Sequence, residues 1–158
     1  MASEHRVTAA TSVPAPLERV WSFVRDMSRY ADWVESTIHV VRADDEIALG
    51  ASYEERTRLT GLWTATTRWT VTEFQPMRRV TFIAEGAPVV RSLELELTLE
   101  ATDEGTEVAS TYSYYMRYGL FGALLELVVR GNVVNDQRRS LRTLSYLAEH
   151  GLDDDVAH

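Results

Sequence analysis

The sequence predicts an α+β domain in which a curved antiparallel sheet of seven strands surrounds one long C-terminal helix. Three observations lead to this fold class. Strand-like alternation, interrupted by turn residues, fills most of the chain. One strand alternates leucine with glutamate or threonine, so the sheet has a buried face and a wet face. The large apolar element left to cover the buried face is the C-terminal helical segment.

Composition narrows the class of protein. The chain has 158 residues, the size of one domain, and we expect residues 1–150 to form that domain and residues 151–158 to be a disordered acidic tail. The net charge of −8 argues against nucleic-acid binding. Cysteine and lysine are absent from the chain, which excludes disulfides, thiolate catalysis and Schiff-base chemistry. We expect a cytoplasmic protein, because the chain shows no apolar signal core and no stretch suited to an integral membrane segment.

The N-terminal part of the chain predicts a strand followed by two short helices. Residues 6–13 alternate in polarity, and the prolines that follow end this strand. Apolar residues at helical spacing predict the first helix over about residues 17–26. Ser28 is a candidate N-cap for the second helix, over about residues 29–34.

The middle of the chain predicts six further strands. Their expected ranges are 37–42, 51–60, 62–74, 79–85, 89–102 and 106–117. The fifth range is the clearest, because its leucines share one phase and its glutamates the other. Applying the same two-residue period to the other strands gives an inward-facing set of aromatic and hydroxyl side chains.

Residues 120–150 predict a long helix with two unlike halves. In the first half apolar residues cover most of the circumference, and only Glu126 and Arg130 form a charged side with the spacing of an ion pair. Gly131 lies between the halves, and we expect a kink or break there. A helix that is apolar nearly all round needs cover on more than one side. The uncovered surface is centred on Leu125, Val129 and Val133, so we expect either a homodimer or a mobile gate.

Several short motifs occur in a characteristic order along the chain. They are VPAPLERVW at 13–21, YADW at 30–33, Gly50, EFQPMRRV at 73–80 and GTEV at 105–108. With the order of the elements, these motifs resemble the START/Bet v 1-like (SRPBCC) superfamily, and within it the polyketide cyclase/dehydrase and lipid-transport group. The resemblance implies a helix-grip fold with a cavity between the sheet and the C-terminal helix. It does not identify a reaction.

The inward-facing positions supply the candidate ligand site. They combine large flat aromatic surfaces with a few hydroxyl and amide groups, which is typical of a small-molecule pocket. The alternative is that these side chains simply fill the core. The predicted ligand-binding residues are Tyr53, Thr57, Trp63, Thr67, Trp69, Phe82, Arg91, Leu95, Ser110, Tyr112, Tyr114, Leu124 and Gln137.

Glu55 is the candidate catalytic residue. It shares a phase with Tyr53 and Thr57, so its carboxyl group is expected to face the cavity. Burial there would raise its pKa and suit it to general acid or base chemistry. Alternatively, the carboxyl group reaches water or pairs with an arginine. The four histidines show no metal-ligand spacing, and we expect no metal and no cofactor.

Three functions fit these features. The first is binding of a bulky hydrophobic or polycyclic molecule for transport, sequestration or self-resistance in natural-product metabolism. The second is an aromatase/cyclase that directs aldol closure and dehydration of a polyketide. The third is an interaction module that uses the apolar first half of the last helix. The inward set contains one carboxylate and no secure histidine, which favours binding over catalysis.

Overall fold

A computed structural model describes residues 4–58, 62–85, 90–116 and 119–151, with the side chains of 119–123 excepted. The elements follow the predicted order. The strands are β1 (Glu4–Val13), β2 (Thr37–Ala43), β3 (Ser52–Arg58), β4 (Thr64–Gln75), β5 (Arg79–Glu85), β6 (Val90–Thr102) and β7 (Gly105–Met116). The helices are α1 (Leu17–Val24), the short 3₁₀ helix η1 (Met27–Asp32) and α2 (Gly119–His150).

The seven strands form one antiparallel sheet in the order β1-β7-β6-β5-β4-β3-β2. From β2 to β7 each strand pairs with the next one along the chain, and β1 joins the far edge by pairing with β7. α2 lies against the inner face, where it contacts β1 and β7. The predicted α+β helix-grip architecture is confirmed.

The main core lies between the inner face of the sheet, the two short helices and the second half of α2. Val80, Phe82 and Leu97 of the sheet are buried there, and Leu141 and Leu144 of α2 pack against them. Burying aliphatic and aromatic side chains of this size supplies about 1.5–3 kcal/mol each. This packing fixes the second half of α2 over the middle of the sheet.

The first half of α2 is held less completely. Val129 and Val133 pack on a second, smaller cluster that includes Tyr114 and Met116. Among the described side chains of this half, the apolar ones of Leu124, Leu125, Leu127 and Val128 are exposed. A second subunit over them stays a prediction.

Two local expectations were wrong, the helix break at Gly131 and the Ser28 N-cap, whereas a kink at Gly131 stays a prediction. α2 runs without interruption through Gly131, where an added Cβ would meet nothing within 4 Å; the glycine lies in open space, so it weakens the helix without breaking it. Ser28 is not an N-cap, because η1 begins one residue earlier, at Met27. Its hydroxyl instead donates to Asp26 Oδ1 at 2.5 Å.

Gly105 begins β7 at a close approach of two chain segments. Its φ is +151°, and a Cβ there would lie 2.1 Å from the carbonyl oxygen of Val13. The next residue, Thr106, is buried and donates from Oγ1 to the carbonyl oxygen of Ala15 at 2.8 Å. Only glycine fits this position, and the contact joins the β6–β7 turn to the end of β1.

Candidate functional site

A small cavity lies between the sheet and the second half of α2. It is lined by Tyr30, Trp33, Val34, Tyr53, Glu55, Trp69, Leu95, Leu97, Ser110, Tyr112, Gln137, Ser140 and Leu141. Its volume is about 20 Å³, room for one or two water molecules. Small-molecule sites usually enclose about 300–1,000 Å³, so a polycyclic ligand fits this cavity only after the walls move.

Glu55 points into the protein from the middle of β3. Its side chain is 2% exposed, and its oxygens accept hydrogen bonds from three side chains. Thr57 Oγ1 and Trp69 Nε1 donate to Oε1 at 2.9 and 2.8 Å, and Thr37 Oγ1 donates to Oε2. Among the described residues no arginine or histidine pairs with it. The predicted inward orientation is therefore confirmed. The carboxyl group does not reach bulk solvent, and it has no arginine partner within that part of the chain.

Burial and hydrogen bonding act on the Glu55 carboxyl group in opposite directions. Burial raises its pKa above the ordinary value, and the bonds from Thr37, Trp69 and Thr57 lower it, with burial the larger effect. Burial also raises the pKa of Tyr53 and Tyr112, and the Glu55 charge adds to the rise. The cavity wall thus favours neutral groups.

The raised pKa of Glu55 predicts a pH-dependent stability. Its contribution is fully present below its ordinary pKa of 4.5 and is lost as pH rises through the higher value in the folded protein. In urea unfolding from mildly acidic to neutral pH, the free energy of unfolding of Glu55→Gln minus that of the wild type should therefore increase with pH. The half-buried Asp136, whose pKa is also raised by burial, is present in both proteins and cancels. A difference that stays constant with pH would contradict this assignment.

Aromatic rings form the wall on the β3–β4–β5 side. Tyr53 lies between Tyr30 and Trp69, with ring centroids 5.0 and 6.5 Å away. Tyr112 meets Trp69 edge-on at 6.4 Å. Phe82 is fully buried behind them and contacts Tyr53 at 5.8 Å. Edge-on pairs at these distances are favourable, so the rings hold one another in place.

Gln137 joins α2 to the sheet. Its side chain is 2% exposed, and Nε2 donates to the carbonyl oxygens of Val7 and Ser110 at 3.0 and 3.1 Å and to Ser110 Oγ at 3.0 Å. These contacts connect the helix to both β1 and β7. Gln137 thus holds the helix and lines the cavity at once.

The structure places seven of the thirteen predicted ligand-binding residues away from the cavity wall. Thr57 is half-buried and bonded to Glu55, Thr67 is buried opposite Glu55 in β4, and Phe82 lies behind the aromatic wall. The predicted residues on the wall itself are Tyr53, Trp69, Leu95, Ser110, Tyr112 and Gln137, with Glu55.

Three predicted residues face solvent, so their inward assignment was wrong. Trp63 is 77% exposed because it precedes β4, which begins at Thr64. Arg91 is exposed because the β6–β7 register shifts between Val90 and Ser92, and a bulge of this kind reverses the side-chain phase. Leu124 is 69% exposed on α2. Apolar residues cover most of the circumference of this half of the helix, so the sequence did not define which side faces inward.

Tyr114 faces inward but belongs to a separate polar cluster beside the first half of α2. Its hydroxyl donates to Glu126 Oε1 at 3.2 Å, and its ring stacks on His5 at 5.4 Å. His5 Nδ1 and Arg130 lie 3.3 and 3.7 Å from the same oxygen. Burial and the Glu126 charge raise the pKa of Tyr114 to about 12. The expected Glu126–Arg130 ion pair is confirmed, whereas Tyr114 does not line the cavity.

Six residues of the wall are not in the predicted set. They are Tyr30, Trp33, Val34, Leu97, Ser140 and Leu141. Leu97 and Leu141 were recognisable as inward by their periods, but that signal does not distinguish a wall from a core. Tyr30, Trp33 and Val34 lie in or after η1, whose position depends on tertiary packing.

The cavity and fold can be compared with known proteins. The family described as polyketide cyclase/dehydrase and lipid transport matches residues 4–149. The chain belongs to this family. No curated protein sequence matches the chain.

Solved structures share the fold at low sequence identity. The Zhui aromatase/cyclase from Streptomyces sp. R1128 is 18% identical, with a TM-score of 0.81 over 93% of this chain and 94% of that one. StfQ, a di-domain aromatase/cyclase of the steffimycin pathway, is 11% identical with a TM-score of 0.78, over 92% of this chain and 51% of its own. Ara h 8.0201 is 11% identical with a TM-score of 0.70, over 93% and 99%. The chain thus spans about half the length of the di-domain protein.

Neither a metal-ion cluster nor a membrane-spanning helix occurs among the described residues. No group of three or more His, Asp or Glu side chains in that part of the chain is placed to hold a metal ion. No helix there combines the length and apolar character needed to cross a membrane.

Proposed function

We propose that the protein binds a bulky hydrophobic or polycyclic, polyketide-like molecule between the sheet and α2, for transport, sequestration or self-resistance in natural-product metabolism. The observation that supports this is the composition of the cavity wall. Aromatic and aliphatic side chains make up most of it, and a few polar groups, those of Glu55, Ser110 and Gln137 among them, converge on it. This is the usual character of a small-molecule site.

Ligand uptake requires the wall to open, since the cavity is about 20 Å³. The side between the η1–β2 turn and α2 is closed by two polar contacts. The backbone N–H of Glu35 donates to Ser140 Oγ at 2.9 Å, and Arg139 pairs with the Glu35 carboxylate at 3.4 Å. The ion pair is largely exposed, and such pairs contribute about 0–1 kcal/mol. Separation of this turn from α2 breaks only weak polar contacts of this kind, and we take it as the candidate opening.

Aromatase/cyclase activity is the second candidate, and Glu55 supports it. A carboxylate offers about four lone-pair positions, and Thr37, Thr57 and Trp69 occupy three of them. One position remains for a substrate proton. A buried carboxyl group of raised pKa beside a cavity suits proton transfer to or from a carbon next to a carbonyl.

Filling the cavity should weaken the binding of an apolar dye. Leu95 lines the cavity, and Leu99 lies four residues further along the same face of β6, in the core but off the wall. Leu95→Trp should raise the Kd for Nile red at least about tenfold, because the larger side chain occupies the space the dye needs, equivalent to about 1.4 kcal/mol. Leu99→Trp overpacks the core and should cost about 1–3 kcal/mol of folding free energy. Because it lies off the wall, this variant should bind the dye like the wild type.

Fluorescence titration of both folded variants decides between the outcomes. Equal weakening by both substitutions would show that dye binding follows core stability and not the cavity. A wild-type protein that binds no apolar dye or polycycle would contradict the proposed function. Native mass spectrometry of the protein from its own host, with identification of any co-purifying molecule, identifies the natural ligand.

A further inference from the structure

Two polar atoms on the cavity wall have no hydrogen-bond partner among the described residues. They are the donor Trp33 Nε1 and the acceptor Gln137 Oε1. Trp33 is 5% exposed and Gln137 is 2% exposed. Buried polar atoms are nearly always paired, because an unpaired one keeps the full cost of its desolvation. Both residues line the same cavity, so a molecule in that cavity is the candidate partner for both atoms.

The orientation of the Gln137 amide is fixed by its neighbours. The carbonyl oxygens of Val7 and Ser110 can only accept hydrogen bonds, and both lie within 3.1 Å of Nε2. Turning the amide over would place Oε1 against two acceptors. The unpaired atom is therefore an acceptor, and it stays an acceptor as long as α2 holds β1 and β7.

We propose that Trp33 and Gln137 form a donor–acceptor pair that binds a hydroxyl group of a neutral aromatic ligand, a phenol or an enol. This inference rests on the proposed function. A hydroxyl group can accept from Trp33 Nε1 and donate to Gln137 Oε1, whereas an ether or ketone oxygen can only accept. A ligand without such a group leaves one or both atoms unpaired.

The charge of the wall selects the neutral form of the ligand. Among the described residues, Glu55 is the one carboxyl group of the wall, and no arginine or histidine lines it. Arg91, the cation expected to hold an anionic or enolic oxygen, faces solvent. A carboxylate or phenolate in the cavity would have no counter-charge beside Glu55. The pair thus favours a protonated hydroxyl over an ionised oxygen.

The test compares naphthol with methylnaphthalene and methoxynaphthalene of the same substitution pattern, by displacement of Nile red. Trp33→Phe keeps a ring and removes the donor. Trp21→Phe is the matched control, since Trp21 is buried beside Phe74 and outside the cavity wall. The preference for naphthol over methylnaphthalene, as a ratio of Kd values, should fall about three- to tenfold in Trp33→Phe and stay unchanged in Trp21→Phe.

The ether tests the acceptor. Transfer out of water favours methoxynaphthalene over the more polar naphthol, so tighter binding of naphthol to the wild type supports the bond to Gln137. An unchanged ratio of Kd values in Trp33→Phe would overturn the donor–acceptor pair, and so would tighter binding of methoxynaphthalene than of naphthol. In either case, binding of all three aromatics would still support the proposed function. If none of them displaces Nile red or binds by calorimetry, the pair is overturned as well, and the proposed function fails only if the wild type also binds no Nile red.

Discussion

Glu55→Gln should fold with a stability within about 1 kcal/mol of the wild type at neutral pH, whereas Glu55→Met should lose about 2–4 kcal/mol. The amide keeps an oxygen for Trp69 Nε1 and Thr57 Oγ1 and turns its NH₂ group to the Thr37 hydroxyl, which can accept. Methionine leaves the indole N–H buried without an acceptor. Urea unfolding measures both differences.

The same pair of variants tests the candidate chemistry of Glu55. If the protein closes polyketide rings, Glu55→Gln should lower turnover by about 10²–10⁴-fold, the usual contribution of a general acid or base, with the fold intact. If the protein only binds its ligand, Glu55→Gln should change the affinity for that ligand slightly. If Glu55→Gln and Glu55→Met lower the free energy of unfolding equally, the three hydrogen bonds to Glu55 do not determine the stability of the site.

Gln137→Glu should lower the free energy of unfolding at neutral pH by about 3–5 kcal/mol. The substitution is nearly isosteric, but it removes the Nε2 donor and puts a carboxylate against the carbonyl oxygens of Val7 and Ser110. These repulsive contacts raise the pKa of the new carboxyl group in the folded protein. The loss should therefore shrink as pH falls and the group becomes protonated.

Gln137→Met is the matched control for that experiment. It removes the same donor without adding charge, and should cost about 1–3 kcal/mol at every pH. Urea unfolding at acidic and neutral pH distinguishes the two variants. A Gln137→Glu protein as stable as the wild type at neutral pH would contradict the hydrogen bonds assigned to Nε2.

The sheet could be predicted from the sequence because one physical rule determines it. Residues on the buried face of an antiparallel strand recur every two positions, and the leucines of β6 show this without interruption. The strand predicted at 79–85 has the same bounds as β5, Arg79–Glu85. Glu55 followed from the same period, since it lies between Tyr53 and Thr57 on β3.

The site could be predicted only in part, because its finer features are not periodic. The bulge that turns Arg91 outward depends on how β6 pairs with β7. The bonds that leave Gln137 Oε1 unpaired come from three elements, α2, β1 and β7. The cavity volume of about 20 Å³ depends on how rings such as Trp69 and Tyr112 pack. None of these features repeats along the chain.

The pairing of β1 with β7 has a consequence for synthesis in the cell. The register pairs Glu4 with Tyr115 and Val13 with Thr106. Each residue of β1 therefore pairs with a residue about a hundred positions further along the chain. At a translation rate of roughly 5–20 residues per second, that separation is a delay of about 5–20 s. During this time the strand emerges from the ribosome unpaired, and contacts of such long sequence separation also form slowly. β1 is translated before the other strands of the sheet and is thus among the last of them to find its partner, so chaperone binding during synthesis should concentrate there.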